Sequence, residues 1–150
     1  MTIEITAQPT AALRAQLSGN SSEHQRLVRE FSSRDDRVAY SALVNAAFLE
    51  AVGRRFTKES KDSDVIEYVA DVRSRIDEIA DAVDPRAGEQ IILEALGRGT
   101  ADGIDSRTSA TARMFLLTAL IADERLDGLA LDQFIAKATT TADYLLNSDT

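Results

Sequence analysis

Apolar residues along this chain return every three or four positions far more often than every second, which is the spacing of one face of a helix. The clearest case is Val65, Val69, Val72, Ile76, Ile79 and Val83. Its alternating steps of four and three predict a helix from Ser63 or Asp64 to Val83 with one narrow seam over about five turns. Two other segments are apolar nearly all round. In a helix expected from Asp35 or Asp36 to about Arg55, Val38, Tyr40, Leu43, Val44, Phe48, Leu49 and Val52 cover most of the circumference together with Ala46, Ala47 and Ala51. The run Met114 to Ala122 does the same in a helix expected from Asp105 or Ser106 to about Arg125. Helices of that kind belong in the middle of a bundle, with Phe48 and Leu117 at its centre.

The breaks between these segments read as helix punctuation. Pro9 suits the first turn of a short helix carrying Leu13 and Leu17, with Gly19 just past its end. Ser22 to Gln25 has the spacing of a capping box and opens a second short helix with Leu27, Val28 and Phe31 on one face. Asp84-Pro85 stops the seam helix and starts another, which carries Ile91, Ile92, Ala95 and Leu96 and ends near Gly97. A last helix is expected from about Leu131 to Leu146. Alternation over Thr2 to Thr6 is too short to count as a strand. The pattern therefore predicts an all-α protein, an irregular helical bundle of about four long and two or three short helices. Residues 1–8 are expected to be a flexible segment and 9–150 a single helical domain.

Composition narrows the picture further. A chain of 150 residues with 44% apolar residues can build one core without staples, and with no cysteine it has no disulfide, thiolate metal site or cysteine nucleophile. The N-terminus lacks the basic and apolar regions of a secretory signal. The stretch Met114 to Ala122 is about half of the ~20 residues a bilayer span needs. A soluble, cytoplasmic protein with no membrane contact is expected. The net charge of −8 is unevenly divided: residues 1–61 carry nine Lys/Arg against seven Asp/Glu, residues 62–150 eight against eighteen. Opposite character on two parts of one chain favours self-association or an oriented protein partner, and the acidic part disfavours nucleic acid.

Most catalytic and metal chemistry lacks its residues here. The single histidine, His24, excludes a two-histidine metal site in one chain, and no nucleophile elbow accompanies it. Asp123 to Gly128 begins like a calcium loop but has Arg125, Leu131 and Phe134 at the third, ninth and twelfth positions, where ligands belong. Glu67, Asp71, Glu78 and Asp81 form a row on the seam helix that, with Arg73 and Arg75 interleaved, reads as a solvated face. No catalytic residue, metal ligand or cofactor is assigned, and an enzyme is not the favoured reading.

Two positive leads remain. The glycines of Gly97 to Gly103 and the start of the following helix could form an anion or small-ligand site from Arg98, Gly99, Ser106, Arg107 and Ser109, at the positive end of a helix dipole. The same stretch, Ile91–Leu96 followed by Ser106–Met114, is a poor helix-turn-helix, because its connection of about nine residues exceeds the usual three or four and the charge is wrong for DNA. The second lead is Ile66 and Tyr68, expected on a flank of the seam helix that a second copy could cover. The leading expectation is an interaction or regulatory module acting through protein–protein contacts as a homodimer. The alternative is a small-ligand or anion-binding protein, or a metal-free enzyme, built on the Gly97–Ser109 loop.

Overall fold

The computed structural model describes residues 3–75 and 77–148, with the backbone alone at Glu78 and Ile79. Among them are eight helices and no strand: α1 (Ala7–Leu17), α2 (Ser21–Arg29), α3 (Arg34–Arg55), α4 (Asp62–Arg75), α5 (Asp77–Ala82), α6 (Pro85–Ala95), α7 (Ser106–Glu124) and α8 (Gly128–Asn147). The all-α, helical-bundle class expected from the pattern is the class observed. Two compact units divide the chain, Met1–Ala47 with Glu124–Thr150, and Phe48–Asp123. No linker separates them: one transition falls inside α3 and the other within the last turn of α7.

In the first unit α1 packs on α2 and on α8. Leu13, Leu17, Phe31, Leu43, Leu131, Phe134 and Ile135 are its large buried side chains, interleaved with Ala12, Ala39, Ala46, Ala138 and Ala142. Alanines at these positions let backbones approach, so large side chains fill the space between layers. The first helix begins at Ala7, two residues before Pro9, and is preceded by a segment without regular structure that ends on Thr6 in an extended conformation. There Ile3 exchanges hydrogen bonds with the Asn147 side chain, its N–H donating to Oδ1 and its carbonyl accepting from Nδ2, both at 3.2 Å. Gly19 ends α1 with φ +83°, the left-handed position that glycine takes without strain.

The cap of α2 differs from the expected Ser22–Gln25 box. Asn20 is the N-cap, its side chain accepting from the Glu23 N–H at 3.2 Å, so the helix starts at Ser21. Asparagine caps as well as serine does, and the left-handed turn at Gly19 places Asn20 at the helix entrance first.

In the second unit α4 packs on α5 and α6. Val65, Val69, Val72 and Val83 are buried as the seam predicts, together with Phe48, Val52, Ile91, Ile92, Leu116, Leu117, Leu120 and Ile121. Ile76 lies outside the described residues, and so does the side chain of Ile79. Asp84 caps α6, its Oδ2 accepting from the Ala87 N–H at 2.8 Å, and Pro85 takes the first helical position.

Gly88 of α6 faces closely packed neighbours. A Cβ there would sit 3.1 Å from Val69 Cγ1 and 3.5 Å from both Leu116 Cδ1 and Val83 Cγ1. Gly88→Leu is therefore expected to lower stability by at least about 1–3 kcal/mol through overpacking. Urea unfolding checks this, and a midpoint unchanged from the parent chain would show that α6 does not lie so close to α4.

Candidate functional site

Ser106, Arg107 and Ser109 lie in the first turns of α7, with Ser106 and Arg107 exposed and Ser109 half-buried. The positive end of this helix is already occupied by the chain's own carboxylate. Asp105 Oδ1 accepts from the Thr108 N–H at 2.9 Å and Oδ2 accepts from the Thr108 hydroxyl at 2.8 Å. Those two hydrogen bonds, the backbone one foremost, hold the Asp105 carboxyl below the usual carboxylate range. Asp84 fills the same role at α6. A helix dipole satisfied by a tethered carboxylate has little left to offer a free anion.

Arg98, expected to face the same ligand, points elsewhere. Its guanidinium donates to the backbone carbonyls of Ser60, of Lys58 at 2.9 Å and of Thr57 at 3.2 Å, and lies 3.5 Å from the Asp62 carboxylate. It thus ties the turn after α3 to the end of α6. With Phe56, Thr57, Lys58, Ala95 and Leu96 it lines a cavity of about 410 Å³, whereas Arg107 lines a separate one. Gly99 has φ +152° and open space where a Cβ would be, with no group of the protein drawn close. The five expected residues are therefore not brought together: Arg98 is a brace for the backbone, not half of an anion clamp.

What the α6–α7 region does form is a shallow polar trough in two parts. One, about 420 Å³, is lined by Asp84, Arg86, Gln90, Thr100, Ala101, Gly103, Ile104, Asp105 and Thr108. The other, about 530 Å³, is lined by residues of Ala80 to Pro85 with Arg73, Arg107, Thr108 and Thr111. They share Asp84 and Thr108. Arg73 is engaged, its Nε donating to the Val83 carbonyl at 2.8 Å and a terminal nitrogen to that of Ala80 at 3.1 Å. Arg86 and Arg107 have no ion pair among the described residues. The sequence reading missed Arg73 and Arg86. Arg86 follows Asp84-Pro85 and so had to fall in a helix first turn, but its nearness to the start of α7 comes only from the packing of α6.

Tyr68 departs most from expectation. It is 4% exposed and faces inward beside the valines. Falling three residues after Val65 and four before Val72, it stands at the edge of the seam itself, where side chains on one helix face meet. Its hydroxyl donates to Asp123 Oδ2 at 2.8 Å, its ring meets Phe56 edge-on with centroids 5.7 Å apart, and Arg55 lies 5.1 Å from its centroid. Arg75 completes the cluster, holding Asp123 through both guanidinium ends at 2.7 and 3.2 Å and Asp71 at 2.6 Å. Burial alone would raise the Asp123 carboxyl, but the hydrogen bonds from Arg75 and Tyr68 outweigh it and the group sits below its ordinary value. Asp123, the first residue of the calcium-like segment, is thus held by an arginine and a tyrosine. Ile66, the other expected interface residue, is 49% exposed.

Among the described residues no group of three or more potential metal ligands converges, and no helix is long and apolar enough to cross a membrane. Comparison with protein-family models, with curated proteins and with solved structures finds no match to this chain.

Proposed function

We propose that this chain is a helical interaction or regulatory module of the cytoplasm that works through protein–protein contacts, with a second copy of itself as the first partner. The observation that carries this reading is the outer face of α8. That helix buries Leu131, Phe134, Ile135, Ala138 and Ala142 on one face and leaves Leu129 72% and Tyr144 71% exposed on the opposite one, while Leu145, in register with Ala138 and Ala142, is 44% exposed at the end of the buried face. Single exposed apolar residues are ordinary, but an exposed leucine and an exposed aromatic on the same side of one helix are anchors of the kind interfaces use.

Charge supports a second copy as the occupant. In α8 only Asp132, Lys137 and Asp143 are charged among twenty residues, and Asp132 is bound to Arg14 of α1 at 2.6 Å. For a chain of net −8, a helix so sparsely charged is where two copies can approach with least repulsion. Closed two-fold dimers are also the commonest soluble assembly. The ligand-binding alternative now draws on Arg107 but not on Arg98, so no specific observation favours it.

Light scattering at micromolar concentration tests the reading, with the expected mass that of two chains. A one-chain mass that persists when concentration is raised about tenfold removes the dimer. The double variant Leu129→Ser with Tyr144→Ser should give one chain with an unchanged circular-dichroism spectrum; a dimer intact in that variant removes this interface.

A further inference from the structure

The outer side of α8 carries more than its two anchors. A helix turns about 100° per residue, so Leu129, Gln133, Ala136, Thr140 and Tyr144 fall within an arc of about 80°, opposite the buried face. All five are exposed and none is charged. The Thr140 hydroxyl donates to the Ala136 carbonyl at 3.2 Å, so its donor is spent within the helix while its oxygen can still accept.

The order of these residues is self-complementary. A two-fold interface uses one patch twice, which requires that the patch match itself when turned round. Reversed about a point beside Ala136, the stripe sets Leu129 against Tyr144 of a second copy and the Gln133 amide against the Thr140 hydroxyl. At the centre Ala136 meets its own counterpart, and a methyl on each side lets two helix axes approach to the short end of the usual ~8–10 Å.

Charge on the flanks fits the same direction. Asp132 and Asp143 stand on one flank of the stripe and Lys137 on the other. A two-fold axis perpendicular to α8 brings like flanks together, which places Asp143 of the second copy about 3 Å along the axis from Asp132. Two bare carboxylates there would repel, but Asp132 is already held by Arg14 of α1, whose Nε donates to Oδ1 at 2.6 Å. The Arg14 side chain is 43% exposed and its other contact is the Ser18 hydroxyl at 3.5 Å, so the fork has an end left for a second carboxylate. Asp143 has one to give, since its Oδ1 alone is engaged among the described residues, by the Asn147 amide at 3.1 Å. In a parallel pair that carboxylate would lie about 16 Å along the helix from Arg14. Lys137 meets its own counterpart on the far flank, where a long stem carries each ammonium out to water.

Granted the dimer proposed above, on which this rests, we infer that the two copies lie antiparallel, α8 on α8, with the two-fold axis beside Ala136 and Arg14 of each copy holding Asp143 of the other.

The chain has no cysteine, so an introduced one reports only on what lies opposite it. Ala136→Cys should form a disulfide-linked pair under mild oxidation. Gln133→Cys and Thr140→Cys, mixed in equal amounts, should link to each other at least about ten-fold faster than either links to itself. The antiparallel register offsets each from its own counterpart by about 10 Å along the axis, beyond the ~7 Å between Cα atoms that a disulfide spans. All three variants keep Leu129 and Tyr144. Asp143→Lys, which sets a cation against Arg14 and suits a helix C-terminus, should raise the dissociation constant of the dimer about ten-fold. Self-linking of Gln133→Cys or Thr140→Cys as fast as cross-linking between them overturns the antiparallel register, and an unchanged dissociation constant in Asp143→Lys removes the ion pair. A two-chain mass by light scattering with no link at Ala136→Cys also overturns this arrangement while the dimer itself stands. A one-chain mass for the parent chain removes both.

Discussion

Phe48→Ala and Leu117→Ala should each destabilise the protein by on the order of 2–5 kcal/mol, the phenylalanine toward the upper end. Both side chains are essentially without solvent contact and lie in the second unit. Truncating either removes apolar atoms from a closely packed site and leaves a cavity that rigid helices fill only in part. Phe48 has a further neighbour. The Arg113 guanidinium lies 5.9 Å from its ring centroid, Arg113 Nε is buried without a hydrogen-bond partner, and burial pushes this arginine below its ordinary value while Glu94 partly offsets that. The ring face is one of the few compensations that cation has, so losing Phe48 costs packing and cation–π attraction together. Leu49, next in sequence and more than a third exposed, provides the contrast: its replacement by Ala should stay within about 0.5 kcal/mol. Urea unfolding with midpoint and slope compared across the three variants decides the matter. A cost below about 1 kcal/mol at both Phe48 and Leu117 would mean that the segments carrying them are not central.

What was legible in the sequence was whatever is encoded within a few residues. Asp84-Pro85 marks a helix start because a carboxylate cap and a proline at the first position act locally, and the valine spacing marks a buried face because helical geometry repeats locally. Gly19 past the end of α1 was readable for the same reason. Asn20 was missed in favour of Ser22 because both fit a capping pattern, and the choice between them depends on where the preceding turn delivers the chain. The division into two units left no compositional trace, since α3 reads as one continuous apolar helix across it.

The candidate site was less legible, and for a consistent reason. Arg98 looked available because its neighbours are glycines, but its partners are carbonyls at 57, 58 and 60, about forty residues earlier, and nothing in either segment announces the other. Ser106 and Arg107 were correctly placed at a helix start, yet the adjacent Asp105 already supplies the anion such a start attracts. Polar residues at a helix N-terminus have an internal use before any external one, because the unpaired N–H groups must be satisfied whether or not a ligand exists.

Tyr68 allows the sharpest separation of two readings, because an interface residue and a core residue answer a charge differently. Tyr68→Glu should cost on the order of 3–5 kcal/mol, and Tyr68→Phe only about 1 kcal/mol. The phenylalanine keeps the edge-on contact with Phe56 and the face presented to Arg55, and gives up one hydrogen bond to an Asp123 that Arg75 still holds. The glutamate loses the ring and brings a second carboxylate next to Asp123, while Arg75 is already shared between Asp123 and Asp71. Arg55 also stands nearby, and its position over the Phe56 and Tyr68 rings depends on the ring that has been removed. Like charges confined together destabilise a fold even when each alone would be tolerated. Equilibrium unfolding of the two variants reads the difference directly. Were Tyr68→Glu to stay within about 1 kcal/mol of the parent chain, the side chain would have to lie open to solvent, and the flank of α4 beside Ile66 would again be free to receive a second copy.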